Sequence, residues 1–443
     1  MDIEALYQIY LKCSGISIDS RKVNEGQIFF ALKGVNVDGN AFAEQAIANG
    51  ALCAVVDDEK LQEKEKCFYT PNVLASLQEL ALHHRKQLSI PIIAITGSNG
   101  KTTTKELIRN VLSSTYKTFA TPGNFNNHIG LPISILQINQ GHEMAVLEIG
   151  VNQPLELQFL CELLKPDYGL VTNIGKDHLE GFGSFEGAVA AYKEMGDYFR
   201  KENGNLFANA DDEHILEIGY GLNVITYGKG DHKSHLDYAG SNAKSNFFTK
   251  VKVTKSMHAH GKLSQKTIHS QLFGSYHFYN IMAAVAVGNY FHVKGEKIIN
   301  AIEVYQPAAN RSQLLNWKNH RVILDAYNAN PSSLAISIQD FKLLDTSPKV
   351  VILGDMLELG RFSRYEHEAA VEMVASGNFD HVVFVGPIYH QFKEKYEGKF
   401  KEVHFFIKLE EAKSWLNQQT FPPATFYIKG SRGIGLEQLV LDL

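Results

Sequence analysis

A strand, a glycine-rich turn and a helix start follow one another within twelve residues, and this run restricts the possible folds of the chain most. Ile92-Ile93-Ala94-Ile95 is apolar throughout, which is typical of a parallel strand that is covered on both faces. It leads into Thr96-Gly97-Ser98-Asn99-Gly100-Lys101-Thr102-Thr103. Backbone N–H groups at such a turn and at the following helix N-terminus form a site for phosphate. The run therefore predicts an α/β domain that binds a nucleotide.

The glycine-rich turn also carries the side chains that would bind the phosphates. In loops of this kind the lysine, here Lys101, reaches the β and γ phosphates, and the next hydroxyl, here Thr102, helps to hold magnesium. The strict pattern of nucleotide-switch proteins requires glycine at position 95, where this chain has Ile95. The loop is therefore a shorter variant, and a glycine turn with a solvated lysine is the alternative interpretation.

Two more predicted strands lead to polar side chains. Met144-Ala145-Val146-Leu147 ends in Glu148, where ordinary P-loop ATPases carry aspartate. A carboxylate there lies at the ligand-binding edge of an open sheet, so Glu148 is a candidate magnesium ligand, with a surface glutamate as the alternative. His178 follows the strand Tyr168-Gly169-Leu170-Val171 and is a candidate for a second metal. Magnesium prefers oxygen ligands, so a packing or hydrogen-bonding histidine remains the alternative there.

The length of 443 residues predicts about three domains. Beyond a break at Tyr305 to Asn310, helical patterns separate four apolar strands, as in a parallel sheet. These strands are Arg321 to Leu324, Lys349 to Leu353, His381 to Val385 and Thr425 to Ile428. We predict an α/β fold with three domains: residues 1–88, a central P-loop ATPase with a mostly parallel sheet (89–307), and a C-terminal Rossmann-like domain (308–443). Within the central domain, residues 228–270 are rich in Lys, Ser and His and are predicted to form antiparallel hairpins.

Charge and cysteine usage exclude several classes of protein. A net charge of −5 does not supply the excess of positive charge that is typical of proteins that bind nucleic acid. The four cysteines are scattered without a CxxC pair, which fits a reducing compartment and argues against a zinc site. No apolar run approaches the roughly 20 residues that span a bilayer, and the N-terminus does not resemble a signal peptide. We expect a cytoplasmic monomer without stable membrane insertion.

Taken together, the motifs resemble those of the Mur ligases, a family that also includes enzymes similar to folylpolyglutamate synthetase. TGSNGKTT, the strand-end EIG at Glu148 and NIGKDHLEGFGS from Asn173 carry the resemblance in the centre of the chain. Five further segments extend it over nearly the whole chain: DSRKVNEGQIFFALKG from Asp19, TPGNFNNHIGLP from Thr121, DAYNANP from Asp325, LGDMLELG from Leu353 and KGSRG from Lys429. Each segment is weak alone, but their joint order is highly specific.

The resemblance implies a UDP-sugar-binding N-terminal domain and ligation through an acyl-phosphate. The terminal carboxylate of UDP-N-acetylmuramoyl-tripeptide would attack the γ-phosphate of ATP, and the amine of D-alanyl-D-alanine would then displace phosphate. Such chemistry requires charge neutralisation at the phosphates and exclusion of water. The resemblance assigns neutralisation to Lys101 and to one or two magnesium ions held by Thr102, Glu148 and His178. It assigns water exclusion to domain closure about a hinge at residues 307–310.

The family pattern also implies which residues bind the nucleotide. The loop residues Gly97, Ser98, Asn99, Gly100, Lys101, Thr102 and Thr103 would cradle the phosphates. Asn280 would meet the adenine, although an asparagine at a helix start is equally typical of a cap. Arg311 would be brought to the phosphates by the C-terminal domain, and Asp325 would contact the nucleotide.

A third group of residues is implied in binding the other substrates. Ser20 and Arg21 would contact the uridine end, with a solvated loop charge as the alternative for Arg21. Asn126 and Asn127 would line the muramyl-peptide pocket, with turn chemistry as their alternative. The dipeptide and the substrate carboxylates would be contacted by Asn328, Asn330, Lys429, Ser431 and Arg432.

One position departs from the family pattern. These ligases usually carry a carbamylated lysine two residues before a glutamate, and the carbamate holds the second magnesium. Ungapped alignment on FGSFEG places Tyr192 in that slot, and Lys193 directly precedes Glu194. A shift of one residue rotates a helical side chain by about 100°. Either the helix is rearranged so that Lys193 serves as a catalytic residue, or the modification is dispensable.

Two alternative functions remain open at this point. One is another ligase of the same chemistry, which performs a different muramyl-peptide step or adds glutamate to folate. The DAYNANP and LGDMLELG segments favour the dipeptide-adding step, and a folate enzyme would not need the N-terminal domain. The other is a nucleotide-dependent switch, against which Ile95 and Glu148 argue.

Overall fold

The computed structural model describes residues 2–230, 236–243, 247–257, 263–307 and 309–441. The chain divides into two compact units. The first comprises Met1–Ile95, Tyr116–Val151 and Glu156–Gly169, and the second comprises Thr96–Thr115, Asn152–Leu155 and Leu170–Leu443. Ala308, inside the predicted hinge and at the start of the predicted C-terminal domain, lies outside the described residues.

Helices and strands alternate along the chain. The elements up to residue 171 are α1 (Ile3–Tyr10), β1 (Ile16–Ser17), β2 (Ile28–Phe30), α2 (Ala43–Ala48), β3 (Cys53–Val56), β4 (Cys67–Tyr69), α3 (Val73–Gln87), β5 (Ile92–Thr96), α4 (Lys101–Ser113), β6 (Thr118–Ala120), α5 (Gly130–Ile135), β7 (Met144–Glu148), α6 (Glu156–Leu164) and β8 (Tyr168–Val171).

The elements up to residue 303 are α7 (Leu179–Phe182), α8 (Phe185–Glu202), β9 (Asn205–Asn209), α9 (Glu213–Ile218), β10 (Asn223–Lys229), β11 (Tyr238–Ala243), β12 (Phe248–Lys255), β13 (Thr267–Phe273), α10 (His277–Tyr290) and α11 (Gly295–Glu303). The remaining elements are β14 (Gln313–Trp317), β15 (His320–Asp325), α12 (Pro331–Lys342), β16 (Lys349–Gly354), α13 (Ser363–Ala375), β17 (His381–Val385), α14 (Pro387–His390), α15 (Lys393–Tyr396), β18 (Val403–Phe406), α16 (Leu409–Gln418) and β19 (Thr425–Lys429).

The first unit contains two groups of parallel strands. β1 to β4 form a four-stranded sheet in sequence order, and all its pairings are parallel. The second group has the order β8-β5-β7-β6, and β7 pairs in parallel with both β5 and β6. The register places Glu148 opposite Ile95, one residue before the end of β5. The predicted magnesium ligand thus stands at the carboxyl end of a fully buried strand.

The central strands of the second unit combine both pairing modes in the order β13-β12-β11-β10-β9. β9, β10 and β11 pair in parallel, whereas β11, β12 and β13 pair antiparallel. The antiparallel prediction for residues 228–270 is confirmed for the pairings of β11 with β12 and of β12 with β13, whereas Gly228 and Lys229 pair in parallel with β11. Residues 231–235, 244–246 and 258–262 of this stretch lie outside the described residues.

The six-stranded sheet of the second unit has the order β14-β15-β19-β16-β17-β18, and only β14 is antiparallel. Its inner parallel strands are covered on both faces. On β15, Ile323 packs into one apolar cluster with α12 and α13, while Val322 and Leu324 pack into another with α16. The continuous apolar runs that predicted a parallel sheet are explained by this double coverage. Sequence analysis missed the antiparallel edge strand β14, which has no comparable run.

The fold class is thus α/β with three mostly parallel sheets, as predicted. Among the described residues, no helix combines the length and the hydrophobicity that crossing a bilayer requires.

A buried arginine donates hydrogen bonds to backbone carbonyl groups at the end of α6. Arg85 lies near the C-terminus of α3 and donates to the carbonyl oxygens of Leu164, the last residue of α6, and of Lys165, the next residue. Its guanidinium also reaches Leu88 O at 3.0 Å and Asp167 Oδ2 at 3.2 Å. Buried carbonyl groups without a donor are costly, so this side chain stabilises the packing of α3 on α6.

We expect Arg85→Ala to lower the free energy of unfolding by about 2 kcal/mol or more, because buried carbonyl groups would lose their donors. Urea unfolding of the full chain measures the change. Lys86→Ala, which removes the same charge from the exposed neighbouring residue, is the matched control and should change stability by less than about 0.5 kcal/mol. Equal losses for the two variants would contradict this role.

Candidate active site

The glycine-rich loop that follows β5 is seated on the residues that end β8. Gly97 has a φ of 128°, in the region that favours glycine. A Cβ at this position would overlap Thr172 Oγ1 and would lie 2.8 Å from Thr172 N. Thr172 N in turn donates to Thr96 O at 2.9 Å. Only glycine permits this close approach, which sets the position of the whole loop.

Asn173, directly after Thr172, holds the loop with its backbone and with its side chain. Its carbonyl oxygen accepts from Ser98 N at 2.9 Å, and its Oδ1 accepts from Asn99 N at 3.1 Å. Its Nδ2 donates to Asn99 O at 2.8 Å, beside the hydroxyl of Thr172, which donates to the same oxygen at 2.7 Å. Asn173 was not among the predicted site residues. Its place at the start of NIGKDH, directly after an apolar strand, was the signal that could have identified it.

Ser98 belongs to a buried network beneath the loop. Its hydroxyl donates to Asp177 Oδ1 at 2.6 Å and accepts from Gly175 N at 2.8 Å. The hydroxyl of Tyr192 donates to Asp177 Oδ2 at 3.4 Å. Burial, and then the nearby carboxylate of Asp177, raise the pKa of Tyr192 well above its usual value. The Ser98 side chain is thus committed to bracing the loop.

The helix start supplies the cationic group and the hydroxyl groups. Gly100, at a φ of 78°, precedes α4, whose first three residues are Lys101, Thr102 and Thr103. Lys101 Nζ donates to the carbonyl oxygens of Gly97 and Ser98, the latter at 3.3 Å. The ammonium therefore lies over the loop where phosphate would bind.

In the second unit, the C-terminal α/β region lies directly against this loop and the segment that follows β8. The helix α12 begins there, and Asn330 caps it by accepting from Ser333 N at 2.8 Å. The contacts are Asn330 Nδ2 to Asn99 Oδ1 (2.8 Å), Lys176 N to Ser332 Oγ (2.8 Å), Lys176 Nζ to Glu366 Oε1 (2.8 Å) and Arg361 Nη2 to Gly183 O (3.3 Å). Both ends of the Asn330 amide are thus engaged by protein groups.

His178 and Glu358 form a further contact between the same two parts of this unit. His178 Nδ1 lies 2.6 Å from Glu358 Oε2, and Glu180 N donates to Glu358 O at 3.2 Å. Both His178 and Glu358 have left-handed backbones, with φ values of 44° and 64°. The hydrogen bond to His178 lowers the pKa of Glu358. Non-glycine residues with left-handed backbones are rare and cluster at functional sites. This supports the prediction that the segment around His178 belongs to the active site.

Asp325 and Lys429 meet at the carboxyl ends of the adjacent strands β15 and β19. Lys429 Nζ lies 2.6 Å from Asp325 Oδ2 and also donates to Asn328 O at 3.1 Å. Burial alone would raise the pKa of Asp325, but the ammonium of Lys429 lowers it below its usual value. The other oxygen, Oδ1, accepts from Ser312 N at 3.0 Å. The two charges largely neutralise each other.

The other predicted residues of the C-terminal region differ in their burial and in the bonds that they form with the protein. Ser431 is buried, and its hydroxyl accepts from Leu357 N at 2.9 Å. Asn328 is exposed, with its Oδ1 turned back to Ala329 N. Arg311 and Arg432 both lie over the ring of Tyr327. Of this set, the two arginines and Asn328 thus bond least to other polar groups of the protein.

The predicted residues of the first unit are in two places. Glu148 is buried at the end of β7, where its Oε1 accepts from Asn126 Nδ2 at 2.8 Å. Asn127 Oδ1 accepts from Ile129 N and Gly130 N, so turn chemistry accounts for its oxygen. In the N-terminal sheet region, Ser20 is buried.

Arg21 is exposed and forms a two-point ion pair with Asp19, which lowers the pKa of Asp19 to about 2. Its guanidinium is held by its own loop. A nucleotide-sugar at this position would have to bind beside the Arg21–Asp19 pair or replace Asp19 as the partner of Arg21.

Lys193 is not brought to the other predicted residues. Its Nζ lies 2.6 Å from Glu217 Oε1 on α9, and its side chain is 35% exposed. Tyr192, the preceding residue on α8, is the one that points into the buried network with Asp177. The two side chains diverge because successive helical positions are rotated by about 100°.

No group of three or more His, Cys, Asp and Glu side chains is arranged to hold a metal ion in the described part of the chain. Magnesium, however, commonly binds through one or two carboxylates together with substrate phosphates. Glu148, a buried strand-end carboxylate, fits such a role. His178 fits it less well, because its Nδ1 is paired with Glu358 and imidazole is a poor magnesium ligand.

Asn280 and His277 form a buried pair on the first turn of α10, next to the loop. The amide of Asn280 would lie 2.9 Å from a Cβ at Gly100, and its Nδ2 lies 3.0 Å from His277 Nδ1. Burial lowers the pKa of His277 to about 4, although Asp325 acts in the opposite direction. The imidazole is therefore neutral at pH 7.

We expect His277 to make folding stability depend on pH between about 6.5 and 4. Over this range the unfolded chain binds the proton and the folded chain does not, so stability falls as pH falls. His277→Gln should reduce the loss of stability between pH 7 and pH 4 by up to about 3 kcal/mol, measured by urea unfolding at several pH values. The exposed His128→Gln is the control. An unchanged pH profile in His277→Gln would refute this expectation.

Comparison with known proteins agrees with this arrangement. Three family descriptions match successive parts of the chain: "Mur ligase family, catalytic domain" over residues 12–94, "Mur ligase middle domain" over 95–288, and "Mur ligase, glutamate ligase domain" over 310–432. The UDP-N-acetylmuramoyl-tripeptide–D-alanyl-D-alanine ligase of Bacillus subtilis is 32% identical over 438 residues, which cover 97% of this chain and 93% of the relative.

Solved structures extend the likeness to the fold. MurF from Acinetobacter baumannii superposes with a TM-score of 0.86 at 27% identity, covering 99% of this chain and 97% of that one. MurF from Thermotoga maritima in complex with ADP superposes with a TM-score of 0.83 at 26% identity, covering 97% and 96%. The chain therefore belongs to the Mur ligase family of ATP-dependent ligases.

Proposed function

We propose that this enzyme joins D-alanyl-D-alanine to UDP-N-acetylmuramoyl-tripeptide at the expense of ATP, in the synthesis of the peptidoglycan precursor. The observation that carries the proposal is the match to a ligase of that name in Bacillus subtilis over 97% of the chain. The match includes the N-terminal region, which a ligase acting on a substrate without a nucleotide-sugar would not need. The assembled phosphate loop supplies the ATP-dependent part of the activity.

The reaction divides into two displacements. A carboxylate oxygen of the tripeptide attacks the γ-phosphorus of ATP, the bond from that phosphorus to the β–γ bridging oxygen breaks, and ADP leaves. The free amine of the dipeptide then attacks the acyl carbon, the carbon–oxygen bond to phosphate breaks, and inorganic phosphate leaves with the new amide in place. The ammonium of the dipeptide must release its protons in the second step.

The loop residues of this chain fit the first displacement. Asn173 holds the loop backbone at Ser98 and Asn99, so the loop is positioned before a phosphate binds. Lys101 Nζ, which now donates to Gly97 O and Ser98 O, would exchange one of these bonds for a phosphate oxygen. Its charge would then act where negative charge accumulates.

Thr102 and Glu148 are the residues that we propose for magnesium. A bound magnesium ion would neutralise phosphate charge in the transition state. We retain His178 as a candidate for a second ion only through its other ring nitrogen, since Nδ1 faces Glu358. The hydroxyl and the carboxylate are the donor types that magnesium prefers.

The C-terminal region would exclude water from the mixed anhydride and present the dipeptide. We assign the dipeptide and its carboxylate to Asn328 and Arg432, whose side chains are exposed in this structure. Asn330, Lys429 and Ser431, whose polar atoms are engaged within the protein, would act by shaping this surface. We keep Asn280 for the adenine.

The remaining assignments complete the proposal. Ser20 and Arg21 would contact the uridine end, and Asn126 and Asn127 the muramyl peptide. We propose domains of residues 1–88, 89–307 and 308–443, and an enzyme that acts as a monomer in the cytoplasm, where its nucleotide-linked substrate and ATP are found.

A matrix of substrates tests the function. Phosphate release is measured with ATP and magnesium, using UDP-muramyl peptides of different lengths against D-alanyl-D-alanine, single amino acids and folates. We expect release only when the tripeptide precursor and D-alanyl-D-alanine are both present, with one amide formed per phosphate. Turnover with a shorter precursor and a single amino acid would assign another family step. Slow ATP hydrolysis that no acceptor stimulates would favour a nucleotide switch.

We expect Lys101→Ala to reduce phosphate release by about a hundredfold to a thousandfold, because an electrostatic group aimed at developing charge contributes that much. Lys413→Ala, which removes an exposed lysine from α16, is the control and should retain full activity. Turnover near the wild-type level in Lys101→Ala would remove the loop from the mechanism.

Lys193 has a separate test. Because its ammonium pairs with Glu217 at the surface, we expect Lys193→Gln to keep kcat within about twofold and to show no response to added bicarbonate. The same phosphate-release assay measures both. A large loss of kcat in this variant would return Lys193 to the catalytic site as the carbamylated residue.

A further inference from the structure

Two arginines that are more than a hundred residues apart share one aromatic ring. Arg311 Cζ lies 3.6 Å from the centroid of the Tyr327 ring, and Arg432 Cζ lies 5.3 Å from it. Arg311 precedes β14, Tyr327 follows β15, and Arg432 follows β19. The three residues come together because β15 lies between β14 and β19 in the sheet.

Among the described residues, neither the guanidinium group of Arg311 nor that of Arg432 forms an ion pair with a carboxylate. Asp325, which ends β15 in the same sheet, is already paired with Lys429 at 2.6 Å. Two like charges brought to one ring repel each other, and the π-face of the ring offsets only part of that cost. An anion bound at the guanidinium groups would offset the remainder.

The ring is positioned by the backbone and is tied to Arg311. Tyr327 N donates to Asn310 O at 3.0 Å, so the residue just before Arg311 is fixed to the residue that carries the ring. A guanidinium stacked on a ring keeps its N–H groups at its edge, free for two-point bonding to an oxyanion. The Tyr327 ring thereby favours one of the many conformations that the long side chain of Arg311 can adopt.

We propose that Tyr327 is a positioning residue, which holds Arg311 and Arg432 as one subsite for an oxyanion of the ligation reaction. The oxyanion is a phosphate group of ATP or the carboxylate of a peptide substrate, both of which two guanidinium groups recognise alike. The inference rests on the proposed function and adds the residue that preorganises its cationic groups. Tyr327 acts through the arginines and need not touch the substrate.

Kinetic constants of matched variants test the proposal. Tyr327→Phe keeps the ring face, and Tyr327→Leu removes it at similar size. We expect Phe to remain within about twofold of the wild type, and Leu to lose about tenfold in kcat/KM, because the cation–π contact and the arginine geometry are lost together. Phe362→Leu, which removes the ring under Arg361 (4.9 Å) in the same region, is the control and should leave the constants unchanged.

The individual constants identify the oxyanion. A raised KM for ATP in Tyr327→Leu assigns the subsite to phosphate, and a raised KM for the dipeptide or for the UDP-linked precursor assigns it to a carboxylate. In a double-mutant cycle, Tyr327→Leu should add less than about twofold to the loss caused by Arg311→Ala. A purely structural role would give additive losses and a lowered melting temperature, and that result would overturn the proposal.

Further outcomes keep the inference separate from the proposed function. If Tyr327→Leu does not fold, Arg311→Lys carries the test, since lysine keeps the charge but cannot stack as a plane; kinetics equal to the wild type would refute the proposal. Equal constants for the wild type, Phe and Leu forms would also refute it, with the ligase function intact. Failure of the wild-type enzyme to form the amide would instead refute the proposed function.

Discussion

The close approach of the Gly97 backbone to Thr172 is the contact on which the rest of the active-site region depends. The absence of a side chain at Gly97 lets the loop after β5 lie on the end of β8. From there, Asn173 can bond to Ser98 and Asn99 on both sides, and Asn99 is presented to Asn330 on α12. A backbone held in this way needs little rearrangement when an anion binds, and this is the physical basis of preorganised catalysis.

Many polar side chains around the site bond to other groups of the protein. Ser98, Asp177 and Tyr192 bond to one another in the interior, and Asp325 pairs with Lys429. Buried polar groups are costly without partners, so these networks fix a unique arrangement of the loops. The groups left for substrates are then those at the surface of this framework. Arginine suits that place, because it stays charged and binds oxyanions at two points.

Two of the contacts between the C-terminal region and the segment that follows β8 are ion pairs with one partner partly in water. Lys176 is 46% exposed and its partner Glu366 is 8% exposed, while Glu358 is 59% exposed and its partner His178 is 20% exposed. Screening by water on the exposed side limits what each pair contributes to stability. Such contacts can form and break during a catalytic cycle. In the proposed reaction, contacts of this kind would let the C-terminal region open for substrates and close over the loop.

Local pattern was enough to predict the buried parallel strands of this protein. Such strands are apolar throughout, so β5, β7, β15, β16, β17 and β19 were predicted from the sequence, and the glycines of the loop after β5 predicted a phosphate site. Edge strand β14 has one covered face and no apolar run, so it was missed. The direction of a side chain was equally hidden: which of Tyr192 and Lys193 points inward depends on the rotation of α8.

Tertiary structure alone decided which strand ends meet. β19 is last in the chain, yet it lies between β15 and β16 and brings Lys429 to Asp325 and Arg432 to the ring of Tyr327. Strand order arises from how helices pack on the two faces of a sheet, a long-range property that no short motif contains. The sequence therefore determined which chemical groups this ligase carries. Its fold determined which of these groups bond to one another and which stay at the surface.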